Sequence, residues 1–240
     1  MTPTRSTTPT PSTVEVDTPE GPGRWHLDRA AEPRALLLLG HGAGGEVTAA
    51  DLALLAGRLP GAGVSVGRFE QPWRLAARRV AVPPPRLDVG WRAAVGWLRR
   101  QPWARRAPLL VGGRSAGARV ACRTADELGA VAVLCLAFPL HLPGRPERSR
   151  LAELLAPSVP RLVFQGTRDT FGTAAEVAAG LAGSPGGDGV VVVPLAGADH
   201  GFRLPARADV RPADLRARIL AGTLELVASV TPGGPAAPRE

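Results

Sequence analysis

The chain of 240 residues carries a formal net charge of +8, with 45% hydrophobic and 21% charged residues, and all 29 of its basic residues are Arg. This length and composition predict one globular domain with a full hydrophobic core. The absence of Lys excludes P-loop ATPases, protein kinases, pyridoxal-phosphate enzymes and Ser-x-x-Lys hydrolases, and the absence of both Lys and Tyr excludes Tyr-x-x-x-Lys reductases.

The chain begins with a segment that cannot form a core. Residues 1–12 are Thr, Pro and Ser with one Arg after the initial Met, which predicts a disordered tail. Alternating residues at Thr13–Val16 and Arg24–Leu27, separated by a Pro/Gly segment, predict a β-hairpin. We place the folded domain at residues 13–230 and a second tail at 231–240.

Apolar runs and amphipathic segments alternate after the hairpin. The apolar runs predict strands at Ala35–Leu39, Val64–Phe69, Leu109–Gly112, Ala130–Ala137, Arg161–Gln165 and Val190–Pro194. The segments between them predict helices at Val47–Arg58, Leu87–Arg100, Ala116–Leu128, Arg148–Leu155, Ala174–Leu181 and Pro212–Val230. This alternation predicts a three-layer α/β fold, with a mostly parallel central sheet, helices on both faces and no dedicated cap domain.

The motif Gly113-Arg114-Ser115-Ala116-Gly117 lies between a predicted strand and a predicted helix. G-x-S-x-G in this context is typical of a nucleophile elbow, a sharp turn that exposes the serine hydroxyl. The helix N-terminus behind Ser115 favours negative charge that develops there. The alternative interpretation is a glycine-rich turn in which Ser115 only caps the helix.

A serine nucleophile needs a base and an acid that orients the base. His200 follows the last predicted strand, and Asp169 follows the strand Arg161–Gln165. Because loops at the carboxyl ends of parallel strands meet on one side of a sheet, Ser115, Asp169 and His200 are predicted to form a catalytic triad. Asp199 and Glu176 are weaker candidates for the acid.

The loop Gly40–Gly45 after the first parallel strand consists of small residues and one His. Backbone N–H groups of Ala43 or Gly44, together with that of Ala116, are predicted to form an oxyanion hole. The same loop also matches G-x-G-x-x-G, so a dinucleotide-binding site with Glu70 on the ribose is the competing interpretation.

Several residues beside these loops are candidates for substrate contact. They are His41, Trp73, Arg114, Phe138 and His141. A guanidinium at Arg114 could bind a substrate carboxylate through two hydrogen bonds. The dispersed His and Cys residues predict no metal site, and nothing in the sequence calls for a cofactor.

Five segments resemble one known family. They read, in chain order, LLLLGHGAGG, VGGRSAGARVAC, LAFPLHLPGRPE, LVFQGTRDTFG and GADHGF. They are similar to the α/β-hydrolase-like family of the third subunit of the nonspecific-lethal histone acetyltransferase complex and a testis-expressed relative, and this chain looks like a bacterial-type, stand-alone member. Dienelactone-hydrolase-like proteins are the wider kin.

This resemblance covers about residues 35–205 and implies an α/β-hydrolase fold. It places the family's elbow serine, acid and histidine on Ser115, Asp169 and His200, and its oxyanion loop on His41–Gly45. The sequence departs from the family at Thr170, where Pro is expected, and the acid itself is kept.

These observations together predict a serine hydrolase that cleaves an ester or thioester of a small molecule through an acyl-enzyme. Two alternatives stay open: a non-catalytic module that keeps the fold and binds a protein, and a dinucleotide-dependent reductase. Scattered arginines without a nucleic-acid motif predict no nucleic-acid partner. The absence of an apolar leader or a long apolar run predicts a cytoplasmic protein without membrane contact.

Overall fold

The computed structural model describes residues 11–44 and 46–231. The predicted tails at 1–12 and 231–240 lie outside the described residues except at their inner ends, where Ser12 already belongs to the first strand. No helix within the described ranges is long and apolar enough to cross a membrane.

The structure confirms the predicted fold class, a three-layer α/β fold around one mostly parallel sheet. Within the described residues the sheet has eight strands: β1 (Ser12–Thr18), β2 (Gly21–Asp28), β3 (Ala35–Gly40), β4 (Val64–Glu70), β5 (Leu109–Arg114), β6 (Ala132–Leu136), β7 (Arg161–Gly166) and β8 (Val190–Leu195). They lie in the order β1-β2-β4-β3-β5-β6-β7-β8. Only the β1–β2 and β2–β4 pairs are antiparallel, so the predicted hairpin forms one edge of the sheet.

The helices of the described residues follow the predicted alternation. They are α1 (Ala50–Arg58), α2 (Pro72–Leu75), α3 (Pro84–Arg99), α4 (Ala116–Thr124), α5 (Leu151–Leu155), α6 (Ala174–Leu181) and α7 (Pro212–Val230). The one-turn helix α2 was not expected. Helix α4 ends four residues before the predicted Leu128, because the chain turns there and reaches Gly129 with φ of +64°.

Two hydrophobic cores lie on opposite faces of the sheet. In β3, Leu36 and Leu38 pack toward α3, α4, α5 and α6, whereas Leu37 and Leu39 pack toward α1 and α7. Every residue of β3 is buried, as expected for a central strand covered on both faces. The first core contains the aromatic cluster of Trp25, Phe69 and Trp91, with ring centroids 5.0–6.1 Å apart.

The two cysteines belong to the first core. Cys122 of α4 and Cys135 of β6 are buried free thiols with their sulfur atoms 3.6 Å apart. The hydrogen bond with Cys122 and the burial raise the pKa of Cys135. Because a neutral buried thiol is a poor nucleophile, neither cysteine is a candidate nucleophile. Ser115 remains the candidate that the sequence predicts.

Candidate active site

Ser115 occupies a strained turn between β5 and α4. Its backbone lies at φ 51° and ψ −110°, a conformation that non-glycine residues rarely adopt. The turn is held by close packing against the end of β3: a Cβ built on Gly113 would lie 2.5 Å from the carbonyl oxygen of Gly40, and one on Gly117 closer still. The glycines around Ser115 therefore make the elbow sterically possible.

A continuous hydrogen-bond chain joins the three residues predicted to form the triad. The Nε2 atom of His200 lies 2.9 Å from the Ser115 hydroxyl oxygen, and its Nδ1 atom lies 2.8 Å from Oδ2 of Asp169. Because Asp169 accepts from Nδ1–H, Nε2 is left free to accept the proton of the serine hydroxyl. The tertiary structure thus brings together residues that are 85 and 31 positions apart.

Asp169 is 1% exposed, and both of its carboxylate oxygens have donors. Oδ1 accepts the N–H of Phe171 at 2.8 Å, and Oδ2 accepts the side-chain amide of Gln165 at 3.0 Å in addition to His200. The Phe171 ring packs on the imidazole of His200, with centroids 4.3 Å apart. Gln165 and Phe171 are thus site residues that sequence reasoning missed, although both flank Asp169 in the chain.

The two weaker candidates for the acid are engaged elsewhere. Asp199 accepts the backbone N–H groups of Gly201 and Arg203. Glu176 forms a capping box with Thr173 at the start of α6. Neither carboxylate contacts His200 among the described residues.

His41 points into its own loop and is only 4% exposed. Its Nε2 accepts the N–H of Gln71 at 3.2 Å, which leaves the proton on Nδ1 to be donated to the carbonyl of Gly42 at 2.8 Å. Burial lowers the pKa of His41, which favours the neutral ring. This placement differs from the predicted substrate contact, because the ring is used to hold the loop.

The bond from His41 fixes one peptide plane of the predicted oxyanion loop. In a trans peptide the C=O and N–H groups point in opposite directions, so a Gly42 carbonyl held by His41 turns the Ala43 N–H away from it. A Cβ built on Gly42 would lie 3.5 Å from the Cβ of Ser115, so this loop touches the elbow. Gly44 continues the same loop, whereas Gly45 lies outside the described residues.

Two backbone N–H groups next to Ser115 are available as donors. Ala116 is the first residue of α4, so its N–H has no acceptor within the helix. The N–H groups of Ala43 and Ala116 donate to no protein acceptor in the described part of the chain. Donors of this kind beside a nucleophile can stabilise an oxyanion.

Arg114 is held by protein groups on both sides. Its guanidinium forms an ion pair with Asp51 of α1 and donates to the backbone carbonyl of His200, and it lies 5.2 Å from the ring centroid of Phe202. The Arg114 side chain is 12% exposed and that of Asp51 4%. Arg114 therefore ties the elbow to the loop that carries His200. One feature of the sequence could have predicted this ion pair: Asp51 is an acidic residue next to Leu52, on the side of α1 that is buried.

A cavity of about 660 Å³ opens at the Ser115 hydroxyl, within the usual range for small-molecule sites. It is bounded by the loop Gly42–Gly44, by the elbow and by helices α1 and α7. Its walls also include Phe171 and the segment from His200 to Arg203.

Trp73, Phe138 and His141 do not line this cavity. Phe138 is fully buried in the first core, where the chain turns after β6, and Trp73 is buried with its ring centroid 5.6 Å from that of His41. His141 donates to the carbonyl of Leu142, and its Nε2 lies 3.5 Å from the carboxylate of Glu176. Trp73 does line a smaller pocket beside Ala43 and Ala116, so its substrate contact, like those of Phe138 and His141, stays a prediction.

Comparison with known proteins identifies the relatives of this architecture. Residues 33–228 match the family model of the alpha/beta hydrolase domain. No curated protein matches the chain. The residues described here contain no group of three or more His, Cys, Asp or Glu side chains placed to hold a metal ion.

Solved structures resemble the chain over nearly its whole length. A lidless serine hydrolase from Xanthomonas campestris has a TM-score of 0.71 at 22% identity, over 95% of this chain and 97% of that one. A serine hydrolase homologue from Coxiella burnetii has a TM-score of 0.70 at 20% identity, over 88% and 96% of the two chains. A dienelactone hydrolase from Anabaena variabilis has a TM-score of 0.69 at 18% identity, over 93% and 99%. At these identities the likeness shows a shared fold.

Proposed function

Because this chain belongs to the alpha/beta hydrolase family, we propose that it is a serine hydrolase that cleaves an ester or thioester of a small molecule through an acyl-enzyme. The observation that carries the proposal is the unbroken Ser115–His200–Asp169 hydrogen-bond chain at the wall of a ligand-sized cavity. A buried acid, an imidazole with one free nitrogen and a hydroxyl within hydrogen-bond reach are what nucleophilic acyl transfer requires.

In the first half of the reaction the Ser115 oxygen attacks the substrate carbonyl carbon while Nε2 of His200 takes the hydroxyl proton. Asp169 accepts from Nδ1–H and stabilises the imidazolium that forms. The carbonyl oxygen becomes an oxyanion held by the N–H groups of Ala43 and Ala116. When the tetrahedral intermediate collapses, the carbon–oxygen or carbon–sulfur bond breaks and His200 protonates the leaving alcohol or thiol.

In the second half a water molecule replaces the leaving group. Nε2 of His200 takes a proton from this water, whose oxygen attacks the acyl carbon bound to Ser115. Collapse of the second intermediate releases a carboxylic acid and returns the proton to the serine oxygen.

The name of one structural neighbour supports an ester as the substrate. It is a dienelactone hydrolase, and a lactone is a cyclic ester. The narrower membership suggested by the five sequence segments, in the family of the nonspecific-lethal complex subunit, is part of the same proposal.

The dinucleotide interpretation receives less support from the same loop. Glu70, its predicted ribose ligand, is hydrogen-bonded to His26 at 3.2 Å and forms an ion pair with Arg24 at 3.7 Å. The predicted pyrophosphate loop is packed against the elbow at Gly40 and Gly117. Isothermal titration with NADH and NADPH is expected to show no binding, and saturable micromolar binding would contradict the hydrolase proposal.

The decisive experiment combines active-site labelling with substitution. A fluorophosphonate probe is expected to label Ser115, located by mass spectrometry, and Ser115→Ala and His200→Ala are each expected to lower hydrolysis of an activated ester by a factor of about 10⁴ or more. Ser149→Ala, which removes an exposed hydroxyl elsewhere, is the matched control. A folded Ser115→Ala variant with near wild-type turnover would refute the mechanism. The alternative of a non-catalytic protein-binding module would then be favoured for this site.

A further inference from the structure

The charged side chains that line the catalytic cavity include more arginines than acidic residues. Besides His200, four charged side chains lie on its walls: Asp51, Arg114, Arg203 and Arg216. Asp51 and Arg114 neutralise each other in their buried ion pair. Arg203 and Arg216 are exposed, and neither forms an ion pair within the described residues. The cavity is left with an excess of positive charge at its mouth.

Both unpaired arginines are attached to firmly held backbone. The N–H of Arg203 donates to the side chain of Asp199 at 2.9 Å, and its carbonyl accepts the N–H of Asp199, so the turn that carries His200 also fixes Arg203. The N–H groups of Gly201 and Arg203 both donate to Oδ1 of Asp199, and no ion pair joins Asp199 to the Arg203 guanidinium among the described residues. Arg216 lies on the 19-residue helix α7, between Leu215 and Ile219, which are both buried.

The rest of the cavity wall is largely apolar. Its larger apolar members are Leu54, Phe171, Phe202, Leu215 and Ile219. A ligand that matches this cavity has an apolar part, which packs between α1 and α7, and a negatively charged group, which lies near the exposed arginines.

We propose that the substrate is an ester or thioester with an apolar portion and an anionic group, and that Arg203 and Arg216 bind the anion. The proposal rests on the proposed function and adds its substrate class. Arg114, the arginine nearest the nucleophile, is not assigned this task because its charge is already paired with Asp51 and it also donates to the His200 carbonyl. A carboxylate or phosphate is the chemistry that guanidinium groups on one cavity wall recognise.

The test compares matched neutral and anionic esters. One pair is 4-nitrophenyl hexanoate and mono(4-nitrophenyl) adipate, which places the anion on the acyl side at equal chain length. The other pair is phenyl butyrate and 4-carboxyphenyl butyrate, which places it on the alcohol side. For each pair, the ratio of kcat/KM for the anionic ester to that for the neutral ester is measured. Because the arginines are exposed, wild type is expected to favour the anionic ester of one pair by about fivefold to tenfold, less so at high salt.

The variants separate local recognition from overall charge. Arg203→Gln/Arg216→Gln is expected to lower kcat/KM of the anionic ester by about fivefold to tenfold more than that of the neutral ester, which abolishes the preference. Arg207→Gln/Arg218→Gln is the matched control, because it removes the same charge from exposed positions of the same loop and helix that do not line the cavity. The control pair is expected to keep the wild-type preference.

Three outcomes would overturn the proposal: no anionic preference in either pair, a preference that survives Arg203→Gln/Arg216→Gln, or an equal loss in the control variant. Failure of the proposed function looks different, since neither ester of any pair would then be hydrolysed in a manner that depends on Ser115.

Discussion

The two halves of the candidate active site differ in what holds their functional groups in place. The elbow and the oxyanion loop, at the ends of β5 and β3, are held by backbone contacts between Gly40, Gly113 and Gly117 that leave no room for a methyl group. The acid and histidine loops, after β7 and β8, also meet through one glycine, because a Cβ on Gly166 would collide with the carbonyl oxygen of Ala198. Their catalytic groups, however, are oriented by side-chain hydrogen bonds from Gln165 and Arg114.

This difference determines how each half responds to substitution. In the glycine-packed half an added atom must displace backbone, so stability and activity fall together. In the hydrogen-bonded half an isosteric change keeps the packing and alters only the direction or charge of a group, so activity falls while the fold is retained.

The largest effect is expected for Asp169→Asn, which tests the hydrogen-bonded half. The amide keeps the shape of the carboxylate but cannot stabilise an imidazolium and favours the wrong His200 tautomer, so kcat is expected to fall by a factor of about 10³ to 10⁴. The fold is expected to be retained with a small drop in Tm, because the amide removes one acceptor of the buried Gln165 side-chain amide. Asp199→Asn, a neighbouring carboxylate that does not contact His200, is the control for steady-state kinetics. Equal losses in the two variants would contradict the assignment of Asp169.

The next effect is expected for Gly117→Ala, which tests the glycine-packed half. Its Cβ would collide with the Gly40 carbonyl, so the free energy of unfolding is expected to fall by about 2–3 kcal/mol and the Tm by about 5–10 °C, together with activity. Gly57→Ala in α1 is the matched control, because nothing lies within 4 Å of its Cβ position and alanine favours helix. An unchanged Tm in Gly117→Ala would show that the elbow is not sterically fixed.

A smaller effect is expected for Arg114→Lys, at the junction of the two halves. Lysine keeps the positive charge for Asp51 but cannot also reach the His200 carbonyl with the same planar fork, so kcat is expected to fall about tenfold, or about 1.4 kcal/mol, with KM little changed. Arg119→Lys, whose bidentate partner Glu153 lies away from the cavity, is the control. A selective rise of KM for an anionic ester would instead return Arg114 to the substrate-binding role that the sequence suggested.

The smallest effect concerns pH and the neutral His41 of the oxyanion loop. Burial lowers the pKa of His41 in the folded state below its value of about 6.5 in the unfolded chain. At a pH between these two values, His41 is protonated in the unfolded chain and neutral in the folded protein. Stability contributed by His41 is therefore present above about pH 6.5 and is lost as the pH falls. His41→Gln is expected to reduce the drop in Tm between about pH 7.5 and about pH 5.5. An identical drop in both proteins would mean that His41 is not buried as a neutral ring.

Local patterns were sufficient to predict the fold. The all-apolar runs, such as that of β3, identified strands covered on both faces, and the bounds of α6 and α7 agree with those read from the sequence. The one-turn helix α2 was missed because a single turn leaves no periodic pattern. The proximity of Ser115, Asp169 and His200 followed from chain order and from the rule that loops at the carboxyl ends of parallel strands converge.

The sequence by itself determined which elements form, which edge of the sheet carries the chemistry, and which glycines surround the nucleophile, because these depend on neighbours close in the chain. Only the tertiary structure decided where the loop side chains point. Arg114 turns to Asp51, 63 residues away, His41 turns into its own loop, and Phe138 enters the core. The direction of each side chain is set by a partner on another element or by the backbone path of its turn. A local sequence pattern encodes neither the partner nor that path.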